Sequence, residues 1–206
     1  MSIVTYNNRS IANISAIPGA AKSLTLIKTL TASSSSTLSF VNGSDDVVLD
    51  STYPIYLFKF INIHPATNAT HLQFNGSDDT SSHSYDVTKT TTNFGAYHRE
   101  NDGAAVLGYE TSQDIAQGTG FQGIAHIISN QNDASASGEM RLFSPSSTTF
   151  VKHFMSVTNR DNNDYQGDNY TAGYFNTTSA ITAIQFKMSS GNIDAGTIKL
   201  YGLKDS

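Results

Sequence analysis

Hydrophobic and polar residues alternate most cleanly at the end of the chain. Ile184, Phe186 and Met188 point one way and Gln185 and Lys187 the other, and Ile198 and Leu200 repeat this against Thr197 and Lys199. A Ser-Ser-Gly-Asn segment at 189–192 separates the two runs, so 181–203 reads as a β-hairpin that closes a sheet. Similar short runs recur upstream with turn residues between them. They predict strands near 23–31, 36–41, 54–63, 70–75, 83–88, 104–109, 121–128, 138–143, 150–157, 169–175, 181–188 and 196–202. The run from Ile55 to Ile63 is apolar on both faces apart from Lys59 and Asn62, which predicts a central strand covered on both sides. Pro65 cannot donate to a ladder and marks its end. No stretch keeps a 3.6-residue apolar period over three turns, so helix is limited to a turn or two near Gln113–Gln117 or Ile128–Ser135.

The expected fold is therefore all-β: a single antiparallel two-sheet sandwich over residues 23–206, jelly-roll-like because that architecture accommodates eight or more strands with long connections. Residues 1–22 carry the weakest pattern and end at Pro18-Gly19, which suggests an extended N-terminal arm, either frayed or docked on a neighbouring subunit.

Composition adds a few exclusions. Ser, Thr and Asn make up about a third of the 206 residues and charged residues 14%, a balance that suits hydroxyl-rich β-surfaces. A scattered net charge of −5 supplies no basic footprint for a phosphate backbone, which argues against nucleic acid as a partner. No apolar run is long enough for a spanning helix and no leader-like segment opens the chain, so neither a membrane nor a secretion route is expected. With zero Cys there is no disulfide, thiolate nucleophile or Cys-based zinc site. The seven Asn-x-Ser/Thr triplets follow from composition alone.

Several groups invite a chemical reading. The pentapeptide Asn-Gly-Ser-Asp-Asp occurs at 42–46 and again at 75–79. Its carboxylates Asp45, Asp46, Asp78 and Asp79 suit a pair of Ca²⁺ loops, while its Asn-Gly steps suit two tight turns; the spacing favours turns. Segment 160–168, from Arg160 to Asp168, is the densest cluster of acids and amides. Beside Tyr165 and Tyr170 it suits a metal or a sugar, or simply an exposed loop. Six His, at 64, 71, 83, 98, 126 and 153, form no zinc spacing, although two of them would still be able to converge in space. Glu100 paired with Glu110 or Glu139 would supply the two carboxyls of a glycosidase, but three surface Glu are the plainer reading. No catalytic, cofactor-binding or metal residue is assigned.

The segments Phe58-Lys59-Phe60-Ile61-Asn62-Ile63-His64-Pro65-Ala66-Thr67, Phe143 to Phe150, and Phe175 to Leu203 resemble a family of small virion structural proteins of marine tailed bacteriophages, the cyanophage-like group. The likeness is loose from about 80 to 135. It implies a non-enzymatic structural component of the virion, assembled in the host cytoplasm. A head decoration or cement protein on the capsid surface is the first expectation, with the major capsid protein or other virion proteins as partners and a homotrimeric state. The alternative is a tail-associated or fibre-tip module that binds host surface glycans. The resemblance carries no catalytic residues and no cofactor.

Overall fold

A computed structural model describes residues 24–204, and among them twelve strands and no helix. In chain order these are β1 (Leu24–Thr31), β2 (Leu38–Val41), β3 (Ile55–Pro65), β4 (Thr70–Ser77), β5 (Lys89–Arg99), β6 (Ala105–Tyr109), β7 (Gln122–Ile128), β8 (Ala136–Phe143), β9 (Lys152–Asp161), β10 (Tyr165–Phe175), β11 (Ala183–Met188) and β12 (Ile193–Leu203). They form two antiparallel sheets packed as a sandwich. The large sheet runs β1-β12-β3-β8-β9-β10-β5-β6 and the small one β2-β11-β4-β7. The arm expected over residues 1–22 lies outside the described residues.

The alternation read from the sequence becomes a core between the sheets. Phe40, Phe74 and Phe186 come from the small sheet and Phe58, Phe60, Phe154 and Phe175 from the large one, all buried. The Phe186 ring stands edge-on to Phe58 and Phe60 at 5.3 Å each. Burying one such ring is worth about 2–3 kcal/mol, and edge-to-face pairing adds about 1 kcal/mol.

Three expectations need correction. The terminal runs are not a hairpin: β11 lies between β2 and β4 in the small sheet, and β12 lies between β1 and β3 in the large one. Residues 189–192 carry the chain from one sheet to the other, with Gly191 at φ 70° packed against Thr67. A period of two requires only that alternate residues reach one core. Two strands facing each other across a sandwich satisfy it as well as two paired strands.

The strand expected at 83–88 is irregular, and β5 follows it instead at Lys89–Arg99. The inward positions of β5 are Lys89, Thr91 and Asn93, all buried and all polar, so the apolar half of the alternation is missing. Finally, β3 is interior to its sheet but its outward face is covered only in part: Leu57 on that face is buried, whereas the end near Ile61 is open. Its outward residue Ile61 is 39% exposed. A bulge at Asn62, where φ is 50°, shifts its register against β8.

The inter-sheet space has a second, polar half where β7 approaches β9 and β10. Thr91 Oγ1 donates to Gln122 Oε1 at 2.6 Å, Asn93 Nδ2 to Thr171 Oγ1 at 2.6 Å, and the His126 amide to Asn169 Oδ1 at 3.1 Å. Each such bond contributes about 1 kcal/mol net, whereas a buried polar group without a partner costs more than that. Thr91–Gln122 and His126–Asn169 cross between the sheets and tie the small one to the large one, whereas Asn93–Thr171 joins neighbouring strands of the large sheet.

Candidate functional site

The outward face of the large sheet holds most of the exposed large apolar side chains of the described residues; Val106, Ile127 and Phe150 lie elsewhere. Cross-strand register aligns one row from β3 to β6: Lys59, Glu139, Val157, Tyr170, Phe94 and Tyr109. Five strand spacings make this row roughly 24 Å long. Its middle is a ridge. Phe94 and Tyr170, 43% and 39% exposed, stack face to face with centroids 5.0 Å apart and planes 4° from parallel. Val157 and Tyr109 flank the stacked pair and are themselves exposed. The ridge continues onto the edge strand β6, where Leu107 is 75% exposed on the same face as Phe94.

A groove runs along each side of the ridge. One, about 460 Å³, is apolar, with Ala172 and Gly173 among its lining and Met155, Phe143, His153 and Tyr174 around them. Ala172 is level with Met155 and Thr92 across the strands, so a small side chain at the centre of that row opens the groove. The other, about 520 Å³, carries Lys59, Glu139, Asn159 and Asp168 beside Ile61 and Val157. Asp168 Oδ1 accepts from Asn159 Nδ2 at 2.8 Å and Gln166 Nε2 at 2.9 Å, and Glu139 Oε1 accepts from Arg141 at 3.0 Å. These bonds hold the planar groups in place. Among the described residues, Lys59 Nζ, Asn159 Oδ1 and the second carboxylate oxygens of Glu139 and Asp168 keep their hydrogen-bonding capacity free of protein partners.

The other sequence candidates are dispersed. The two Asn-Gly-Ser-Asp-Asp copies leave β2 and β4 on either side of β11, where Val41, Ala183 and Ser77 are in register. The first copy is a tight turn, with positive φ at Gly43, Asp45 and Asp46. The second is not a turn, contrary to expectation. Asn75, Gly76 and Ser77 finish β4, and buried Asn75 Nδ2 donates to the carbonyls of Tyr85 and Thr119. The Asp79 carboxylate accepts from the Ser84 amide and hydroxyl, chiefly the latter, which holds it below its usual range. Among the described residues no three His, Asp or Glu gather as they would around a metal ion.

Segment 160–168 is a hairpin between β9 and β10, with its turn at 162–164. Arg160 is buried and stands over the Tyr165 ring at 5.2 Å, and Asp164 pairs with Arg99 at 3.0 Å on the surface. Tyr170 lies away from that turn, on the ridge. Glu110 donates its amide to the Asn93 carbonyl, seven residues along β5 from Glu100, which separates the two backbones by roughly 23 Å. Glu139 lies three strands from β5, roughly 14 Å sideways. Neither pair approaches the roughly 5–9.5 Å that a glycosidase requires. Two His do converge: the rings of His71 and His126 meet edge-on at 5.3 Å in the polar seam. Burial pushes His126 down to about 4, helped by the charges of His71 and Arg160, so both rings are neutral packing groups near pH 7.

No protein-family model matches the chain, and no curated protein and no solved structure matches it either.

Sequence reasoning points to Tyr170 but misses its partner Phe94, because the strand that carries Phe94 lacks an apolar alternation. The signal available is Thr-Thr-Asn-Phe-Gly-Ala-Tyr at 91–97, a β-prone run whose aromatic Phe94 sits out of phase with the buried polar positions.

Proposed function

We propose that the protein is a non-enzymatic structural component of a tailed-bacteriophage particle and that the outward face of its large sheet is its contact surface. The observation that carries this reading is the distribution of side chains. Among the described residues, groups capable of acid–base or metal chemistry are dispersed or bonded to neighbours, while most of the exposed large apolar side chains lie on one sheet face. Surfaces enriched in aromatic residues, Met and Arg are characteristic of contacts. The resemblance at 58–67, 143–150 and 175–203 supports a virion role. A sandwich that needs neither a disulfide nor a metal fits a part that assembles inside a cell and works outside it.

Two placements compete. As a head decoration protein, the molecule would form a homotrimer and set its apolar ridge against the major capsid protein. As a tail-associated module, it would turn the ridge and its grooves toward the host surface. The polar groove beside the ridge favours the second placement, because a capsid contact would bury Glu139 and Asp168 at a desolvation cost that an apolar partner does not offset. Immunogold labelling of intact particles with antibody against this chain tests the reading. Labelling at the tail or the head supports it, and particles that stay unlabelled while lysate reacts refute it.

A further inference from the structure

We propose that the stacked ridge and the polar groove together bind a polyhydroxylated ligand, a neutral glycan chain lying across β9, β10 and β5. The inference rests on the outward face being the contact surface and goes beyond it by naming the chemistry of the partner. A sugar ring has an apolar C–H face and a rim of hydroxyls. The face of the protein offers the same two elements in the same order. Val157, Tyr170 and Phe94 supply apolar contact in one line, and one row along the strands Asn159 and Asp168 present free acceptors held by the Asn159–Asp168 bond. Lys59 adds donors and Glu139 a further acceptor at the groove's other end.

Other partners fit less well. A nucleic acid or acidic polymer would set its charges against Glu139 and Asp168 on a molecule of net charge −5. A lipid surface or an apolar peptide would cover the ridge but bury free carboxylate oxygens without partners, which costs more than the contact returns. Hydroxyl donors satisfy these oxygens, and rigid aromatic side chains with few rotors lose little entropy in doing so. Because the charges of the groove are mixed, with Lys59 and Arg141 beside Glu139 and Asp168, no net charge on the ligand is favoured.

Affinity electrophoresis tests this with the intact protein run through native gels containing, one at a time, soluble mannan, galactan, xyloglucan, laminarin and starch. Retardation by at least one neutral polysaccharide is expected. It should fall at least tenfold in apparent affinity for Tyr170→Ala and for Phe94→Ala, and severalfold for Asp168→Asn, in which an acceptor oxygen becomes a donor. Thermal melts of the three variants confirm that each is folded. Arg99→Ala, on the surface away from the ridge, should be retarded like the parent. If no polysaccharide on the panel retards the protein, or if retardation is unchanged in folded Tyr170→Ala and Phe94→Ala, the glycan site is overturned. The particle role stands or falls separately, on whether purified virions contain the chain.

Discussion

At the residue scale, the polar seam makes stability depend on pH in a defined direction. His126 is buried and its ring stays neutral down to about pH 4, because burial, then the charge of His71 and then that of Arg160 oppose protonation. In the unfolded chain the same ring takes up a proton near pH 6.5. Below that pH the unfolded state therefore binds a proton that the folded state refuses, so stability falls as pH drops from about 6.5 to about 4 and levels off beneath. The shift corresponds to a loss on the order of 3 kcal/mol. His71 is shifted in the same direction by burial and adds to it. Urea midpoints measured from pH 7 to pH 4 should decline over this window, and His126→Gln should flatten the decline. A midpoint that holds constant to pH 4 in the parent protein would show that the seam is not closed against protons.

At the element scale, the repeated pentapeptide shows what a short motif leaves undetermined. Gly43 adopts φ 79° and has open space for 4 Å around the position an added methyl would take, so Gly43→Ala costs only the left-handed backbone penalty, about 1–2 kcal/mol. Gly76 has ordinary backbone, but a Cβ there would lie 2.9 Å from Phe175 Cζ. Gly76→Ala should therefore cost about 1–3 kcal/mol by overpacking, and trimming the ring with Phe175→Leu should recover part of the local strain. A double-mutant cycle in urea reads this: coupling at position 76 and none at 43 is expected, and equal behaviour at the two sites would contradict the assigned environments. Phe186, with two aromatic neighbours on its own sheet and two across the core, should cost about 3–5 kcal/mol as Ala in the same assay.

The same contrast explains how much of the fold is legible in the sequence. Eleven of the strands lie close to their expected places because Phe, Ile and Leu alternate there. The existence of β5 is hidden because its inward side chains are polar: Lys89, Thr91 and Asn93 donate to the Gly120 carbonyl, Gln122 and Thr171 in place of packing against an apolar core. Which strands pair is not legible either, as β11 and β12 show, because alternation reports a face and not a partner. Of the candidate site, Tyr170, Glu139 and Asp168 are visible as residue types. Only the register that brings Tyr170 beside Phe94 turns them into a surface.

At the scale of the whole molecule, a small sheet of four strands covers the inner face of a sheet of eight, and among the described residues no strand lies over the outer face. One cluster of buried apolar side chains joins the two sheets, and the bonds Thr91–Gln122 and His126–Asn169 tie them across the polar seam. If the outward face is the contact surface proposed, its place on a sheet fixed by hydrogen-bonded neighbours limits the ordering entropy lost on binding. The proposed role requires this protein to be part of a particle. The most direct measurement is its copy number in purified virions of a phage whose genome carries the gene, by quantitative mass spectrometry against the major capsid protein. A fixed copy number is predicted: a small fraction of the capsid protein for the tail placement that the outward face favours, or a comparable number for decoration of the head. Purified, infectious particles that lack the chain would contradict the role.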